Sequence, residues 1–450
     1  MDIQKDINNR NIINLISWLI SLIPITLIFS NAISDIIVVV CSLFFIFFSI
    51  KKNNWAWLNE NWVKIGLIIY FWLIITSFFA YDKELAISRS ITWIRFIIFG
   101  ASLQFLFLCE NKSRNRVLIC GLIALIYIYT EMFLEYFTEY SIYSRIIEYF
   151  FDLGYSGGAN MRVSGPFKDA PKSGIYLAYF FFPIFFGIIM KIKNKFSISY
   201  SLIFTISFLI INIILIYLSS HRASILSFII SLFLVFIYIF FKKKKIAYFL
   251  SILLFLISLA FFNFSLFENS KRTANNLINK TFLEIKDYPK SAYGTLSITA
   301  LKMFKQNPIF GIGIKNYRIA CEKEEFLSEG HKNSKNNASP WGGYYDPNLK
   351  KHFEATCSSH PHNLYLTWLT ETGLIGLSLF CIFLFILFQK IFKFRNNIKN
   401  EIIAFGIIIS LIPKLLPMMP SLNFFSNWNS VCFWFLIGWL FSYFPKEKLQ

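Results

Sequence analysis

Long apolar blocks alternate with short polar ones over almost the whole chain, and the apolar blocks have the length that a lipid bilayer requires. A hydrocarbon core of roughly 30 Å takes about 20 residues of helix, because a backbone amide left unpaired there finds no water. Reading each block as a helix gives about twelve spans, near 12–30, 33–50, 62–80, 90–108, 117–136, 173–190, 200–219, 223–241, 246–265, 364–388, 402–417 and 428–444. The first follows Lys5 and Arg10, and no small-residue cleavage site comes after it, so it reads as an uncleaved span. Pro413, Pro417 and Pro420 interrupt the eleventh and predict a kink. The expected fold class is an all-α polytopic membrane protein.

Two segments break this rhythm. One, near 137–172, carries Gly154, Gly157, Gly158, Gly165 and Pro166. The other, near 267–361, is far longer than a simple connection and is therefore expected to be functional or disordered. Its Trp341, Tyr344, Tyr345 and Phe353, with an amphipathic stretch from Thr295 to Lys305, predict partial folding. The chain thus divides into 1–266 with nine spans, 267–361 as a large outer loop, and 362–450 with three more spans.

Composition agrees: 56% of residues are apolar, 19% aromatic and 15% charged. A formal charge of +19 suits a nucleic-acid binder, but the positions of the charges do not. Lys51 and Lys52, then Lys112, Arg114 and Arg116, then Lys191, Lys193 and Lys195 fall between apolar blocks. Lys242 to Lys245, Lys390, Lys393 and Arg395, and Lys446 and Lys448 continue the series. They occupy every second junction, as the positive-inside rule expects of cytoplasmic loops, and place both termini in the cytoplasm. No nucleic-acid partner is expected.

No pair among the seven cysteines has metal-type CxxC spacing, and no Asp/Glu/His cluster has ligand spacing, so neither metal nor other cofactor is expected. Cys41, Cys120, Cys381 and Cys432 lie inside apolar blocks and read as buried thiols; Cys109 abuts a basic loop. Cys321 and Cys357 share the large outer loop; they are bonded if that side is oxidising and free otherwise.

Three polar elements fall on one side of the membrane in this topology. They are Arg162-Val163-Ser164-Gly165-Pro166-Phe167-Lys168, the tight turn Ser219-Ser220-His221-Arg222 with Leu226 beyond it, and His360-Pro361-His362-Asn363 at the start of the tenth span. Guanidinium groups suit phosphate oxygens, and an imidazole can take a proton near neutral pH. Together they fit a reaction on a lipid-linked phosphate or diphosphate, with Lys168, His221, His360 and Asn363 as further contacts. Blander readings compete. Arg162 could be an ordinary loop charge, Arg222 a snorkelling helix-end arginine, His362 a structural histidine and Asn363 a helix cap. His331 and His352 read as exposed loop residues. The pair Gly311 and Gly313 is no nucleotide fingerprint and predicts a tight turn. Gly373 and Gly376 predict the close approach of another helix, and Glu371 is an acid inside a span that pairs with an arginine or faces a polar cavity.

These residues resemble the O-antigen ligase and polymerase superfamily of bacterial inner-membrane proteins. Its ligases carry His then Asn, Ser or Gln, nine residues, and Gly-x-x-Gly; His362, Asn363, Gly373 and Gly376 match at each fixed position. Arg222 and Leu226 match an Arg-x-x-x-Leu element, Arg162 resembles a further loop arginine, and residues 307–313 look like the family's Pro-x-x-Gly-x-Gly segment. The resemblance implies metal-independent transfer of a glycan from undecaprenyl diphosphate to a sugar hydroxyl of lipid A–core on the periplasmic face. Arg162, Arg222 and His362 would be the catalytic residues, and membrane lipids would surround the site. A polymerase, or a protein O-oligosaccharyltransferase, would share the donor. A polysaccharide transporter fits less well, since the notable charges gather at the outer boundary and no repeat of halves is visible.

Overall fold

The computed structural model describes residues 2–138, 141–142, 145–146, 149, 163–167, 172–193, 197–242, 281–327, 339–346, 351–417 and 419–444. Its helices run α1 Asp2–Ser21, α2 Ile23–Phe29, α3 Asn31–Lys52, α4 Asn61–Ser77, α5 Lys83–Ser102, α6 Asn111–Thr138, α7 Lys172–Lys193, α8 Ile198–Leu218 and α9 Arg222–Lys242. After these come α10 Ala292–Gln306, α11 Tyr317–Ala320, α12 Leu364–Lys393, α13 Arg395–Asn400, α14 Ile402–Leu411 and α15 Asn427–Phe441. Among the described residues, seven helices are long and apolar enough to cross a membrane, or eight counting α1 and α2 as one span bent by 47°. The fold is all-α and multi-pass. One short hairpin, β1 Tyr344–Asp346 with β2 Lys351–Phe353, is the exception. The apolar block near 246–265 lies outside the described residues.

Helix ends follow local chemistry. Asp82 caps α5 by accepting from the Leu85 amide, and Lys51 and Lys52 close the last turn of α3. Pro413 ends α14, and the chain continues through a single 3-10 turn, Ile412–Leu415.

The chain forms two compact units. The first comprises 1–34, 110–281 and 398–416. At its centre α7 is buried along most of its length and packs against α14, where Gly406 lets the Phe182 carbonyl come close. Phe181, Phe182, Phe208 and Phe228 interlock there. Lipid is as apolar as these rings, so shape and hydrogen bonds, more than water exclusion, favour this packing. Two such bonds are Tyr129 Oη to Asn212 Oδ1 at 2.9 Å and Tyr176 Oη to the Pro24 carbonyl at 2.7 Å.

The second unit comprises 35–109, 282–397 and 417–450. Trp62, Trp93, Trp368, Trp434 and Phe425 form its aromatic core. Two ion pairs lie inside it, Arg95 with Asp35 at 2.9 Å and Lys390 with Glu60. This unit also contains the described residues of the large loop from 282 onward, which include α10. The predicted stretch Thr295 to Lys305 lies wholly within that helix. Ala300, Met303, Ile312, Tyr317, Ala320 and Phe326 make a buried cluster with Cys321 and Cys357. The two cysteines are disulfide-bonded, with Cα atoms 5.3 Å apart. Cys41, Cys120 and Cys432 are buried as expected, but Cys381 is exposed, on a face of α12 turned away from the core. An apolar block that faces lipid has no need to bury every thiol.

The disulfide spans a separation of 36 residues. A closed loop of that size stabilises by about 4 kcal/mol in the chain-entropy account. Cys321→Ser should therefore render residues 281–327 sensitive to limited proteolysis at temperatures where the wild type resists. Full labelling of both thiols in unreduced protein contradicts the pairing.

Candidate functional site

In the second unit the site begins with a break in α12. Gly373 sits at φ 70 inside an otherwise continuous helix, which frees backbone groups that a bilayer cannot solvate. The loop takes them up. Ile312 N–H donates to the Thr370 carbonyl and Gly313 N–H to the Glu371 carbonyl, both at 3.0 Å. Leu374 N–H reaches the Pro308 carbonyl at 2.8 Å, and Trp72 Nε1 donates to the Thr372 carbonyl at 3.0 Å. The approach is so close that a Cβ on Gly373 would lie 1.9 Å from the Ile309 carbonyl oxygen. Gly373 therefore admits a loop, correcting the expectation that it admits a helix. Gly376 is nearer that expectation, since its Cβ would crowd Trp72 Nε1 of α4 at 3.0 Å.

The expected tight turn at Gly311 and Gly313 is present, with φ values of 70 and 87. It delivers two residues the sequence reading passed over. Asn316 is fully buried and its Oδ1 accepts the Asp82 amide at 2.6 Å, fixing the turn to the start of α5. Lys315, at φ 64, donates its backbone N–H to Glu371 Oε2 at 2.9 Å. Glu371, expected to pair with an arginine or to face a polar cavity, meets this backbone amide and also feels the charge of Arg318. The only signal for this was a Lys-Asn pair one residue beyond the glycines.

His360 and His362 precede α12, their rings 4.2 Å apart. His360 is buried and both of its nitrogens are engaged, Nε2 donating to the Ser421 carbonyl at 2.8 Å and Nδ1 meeting Ser359 Oγ at 2.9 Å. Burial pulls its pKa down to about 3, and the charges of His362 and Lys315 add to the effect. Burial also lowers His362 to about 4. His362 is half-buried, with Nε2 3.0 Å from Ser358 Oγ and the Tyr293 ring edge-on at 5.8 Å. Its backbone is in the left-handed region at φ 53, held there by the Ser421 N–H donating to its carbonyl at 2.8 Å. Such a conformation costs about 1–3 kcal/mol and marks functional segments more often than scaffold. Asn363 caps α12, its Oδ1 accepting the Leu366 amide at 3.0 Å while Nδ2 donates to the Pro417 carbonyl at 2.6 Å. That supports the cap reading over a substrate contact.

In the first unit, Arg222 opens α9 after a turn in which Ser220 sits at φ 49. Arg222 Nη1 donates to Thr281 Oγ1 at 3.3 Å. His221 Nδ1 accepts the Ser224 amide at 3.2 Å and lies 2.7 Å from Ser224 Oγ, so this histidine caps the helix. Leu226 is 45% exposed and turns outward. Arg162 and Lys168 lie outside the described residues. Their neighbours are anchored all the same: Glu135 Oε2 accepts the Ser164 amide at 2.9 Å and the Gly165 amide at 2.5 Å. The described residues contain no group of three or more His, Cys, Asp or Glu able to hold a metal ion.

Fold and site thus define a multi-pass membrane protein whose folded loop docks into a broken helix beside a strained histidine. The family model described as O-antigen ligase matches residues 207–381, a stretch that holds Arg222, the glycine turn, His362, Gly373 and Gly376. The chain is consistent with a member of the O-antigen ligase superfamily. No curated protein is similar enough to count as a match. The family supports glycosyl transfer of the O-antigen ligation or polymerisation type in a membrane.

The histidines give a pH dependence of stability. Both bind protons more weakly folded than unfolded, so their contribution is complete above about pH 6.5 and is lost as pH falls towards 4. The melting temperature in detergent should fall from pH 7 to pH 5, and less steeply in His360→Gln. Parallel curves contradict the assignment of neutral, buried rings.

Proposed function

We propose that this chain is a glycosyltransferase of the ligase type, moving a glycan from undecaprenyl diphosphate to a sugar hydroxyl of lipid A–core. The setting is the bacterial inner membrane, with about twelve spans, both termini in the cytoplasm and the large loop in the periplasm. The disulfide between Cys321 and Cys357 supports that placement, since such bonds persist on the oxidising side of a membrane.

The observation that carries the reading is His362. It stands neutral and half-buried at the head of the family's helix, on a strained backbone, with Nε2 oriented by Ser358. A neutral imidazole can take the proton of an acceptor hydroxyl as its oxygen bonds to the anomeric carbon. The bond from that carbon to the diphosphate oxygen breaks, and undecaprenyl diphosphate departs with the electron pair. A pKa near 4 makes His362 a weak base in the empty site. An anionic diphosphate nearby raises it, so basicity develops once the donor is bound. Arg222, with Arg162, is assigned to the diphosphate, where preorganised donors stabilise the charge that forms on departure. His360, committed to Ser421 and Ser359, is assigned to holding His362 in place.

His362→Ala and Arg222→Ala should each lower transfer by at least about 100-fold in membranes that hold normal amounts of protein. Attachment at wild-type rates by either variant contradicts the assignment. In a deletion strain, loss of all long glycan from lipopolysaccharide supports a ligase. One repeat unit on lipid A–core indicates a polymerase, and normal lipopolysaccharide with unmodified glycoproteins indicates a protein glycosyltransferase.

A further inference from the structure

The segment that plugs the break in α12 presents apolar residues outward. Its tip, Pro308-Ile309-Phe310, carries no charge, and Ile309 is 53% exposed. The tip's backbone is nevertheless engaged with the helix. Pro308 has no amide to leave unpaired, and its carbonyl accepts the Leu374 amide at 2.8 Å. The Asn307 carbonyl accepts the Gly311 amide at 3.0 Å, which closes the turn. The Ile309 carbonyl lies so close to Gly373 that a Cβ there would stand 1.9 Å away. Irregular backbone at membrane depth is tolerated where protein covers it, and α12 gives that cover while the Ile309 side chain stays exposed.

Phe310 extends a surface that begins on α4. Its ring stacks on Phe79 at 4.0 Å with planes 12° apart, and on Trp72 at 5.6 Å with planes 15° apart. Phe71, Ile75 and Phe78 recur at helical spacing and are exposed, as Phe79 is. On α12, Leu374 and Ile375 are exposed beside the tip. A contiguous apolar surface of this kind marks contact with lipid or protein, and here it continues the outer faces of two apolar helices.

The height of the tip follows from the far end of the same helices. Lys390 of α12 pairs with Glu60, the residue just before α4, and such charges stay near or outside the hydrocarbon boundary. From Leu374 to Lys390 the helix is unbroken and rises about 24 Å, against a hydrocarbon core of about 30 Å. The tip, bonded to Leu374, therefore lies about 6 Å inside the opposite boundary. Any tilt of α12 sets it deeper.

We propose that Pro308-Ile309-Phe310 is a lipid-facing wedge, inserted among the acyl chains of the leaflet on the histidine side. Those acyl chains are its partner. Lys305 and Gln306, exposed at the end of α10, stand next to the wedge, where a lysine can reach the headgroups. The folded loop is thus held to the membrane surface by lipid as well as by α12. The wedge requires only that α4 and α12 lie in a bilayer, so it stands or falls apart from glycosyl transfer.

The test uses the unaltered chain in lipid nanodiscs. It is photolabelled in parallel by a phospholipid with a diazirine on its acyl chain and by a water-soluble diazirine. Trypsin, cutting after Lys305 and Lys315, releases the tip as residues 306–315, and mass spectrometry locates the label. Exposed Phe385 of α12 sets the acyl-to-aqueous ratio for lipid contact, and exposed Glu324 sets the ratio for water. Ile309 should be labelled at the ratio of Phe385. A ratio matching Glu324 overturns the proposal. Protection from both reagents, as a covering protein would give, overturns it as well.

Discussion

The second unit depends on how a helix can break inside a membrane. Where α12 stops at Gly373, carbonyls at Thr370, Glu371 and Thr372 and the amide of Leu374 lose their helical partners. In hydrocarbon each costs several kcal/mol if left unpaired, so such a break survives only where protein covers it. Residues 308–313 and Trp72 supply the missing partners. Loop and helix consequently hold each other, and the loop's own core, with its disulfide, is anchored at the level of Glu371.

That mutual grip accounts for the positive φ of Lys315, which the docked loop holds against Glu371. Among the described residues other than glycine, four have positive φ: Asn53, Ser220, Lys315 and His362. Ser220 precedes Arg222 in the turn, Lys315 follows the glycine pair, and His362 heads the broken helix. Two of them are held by neighbours that over-determine them: the Glu371 carboxylate for Lys315, and the Ser421 amide for His362. Polar groups near this boundary are either paired or kept uncharged. The two histidines follow the second course.

Much of the scaffold was legible because hydropathy and length act locally. The blocks at 33–50, 117–136, 173–190 and 364–388 became α3, α6, α7 and α12 within a few residues. Asn363 as a cap and the glycine turn at 311–313 were legible for the same reason. Gly373 was misread because a Gly-x-x-Gly spacing suits helix approach and helix breakage equally; only φ 70 tells them apart. Lys315 was missed because its partner, Glu371, is 56 residues away, a separation no pattern reveals. His221 was read as a substrate contact, and its ring caps α9, a position more often filled by Ser, Thr, Asp or Asn. The cysteine pair depended on compartment, which the sequence addressed only through charge topology.

The central claim is that the loop is docked into the broken helix, and amide exchange tests it directly. In detergent-solubilised wild type, the Ile312 and Gly313 amides should exchange slowly, because they donate to Thr370 and Glu371 inside a buried junction. In Gly373→Ala, whose Cβ collides with the Ile309 carbonyl, both amides should exchange rapidly while those of α7 stay protected. Equal protection of Ile312 and Gly313 in the two proteins contradicts the account.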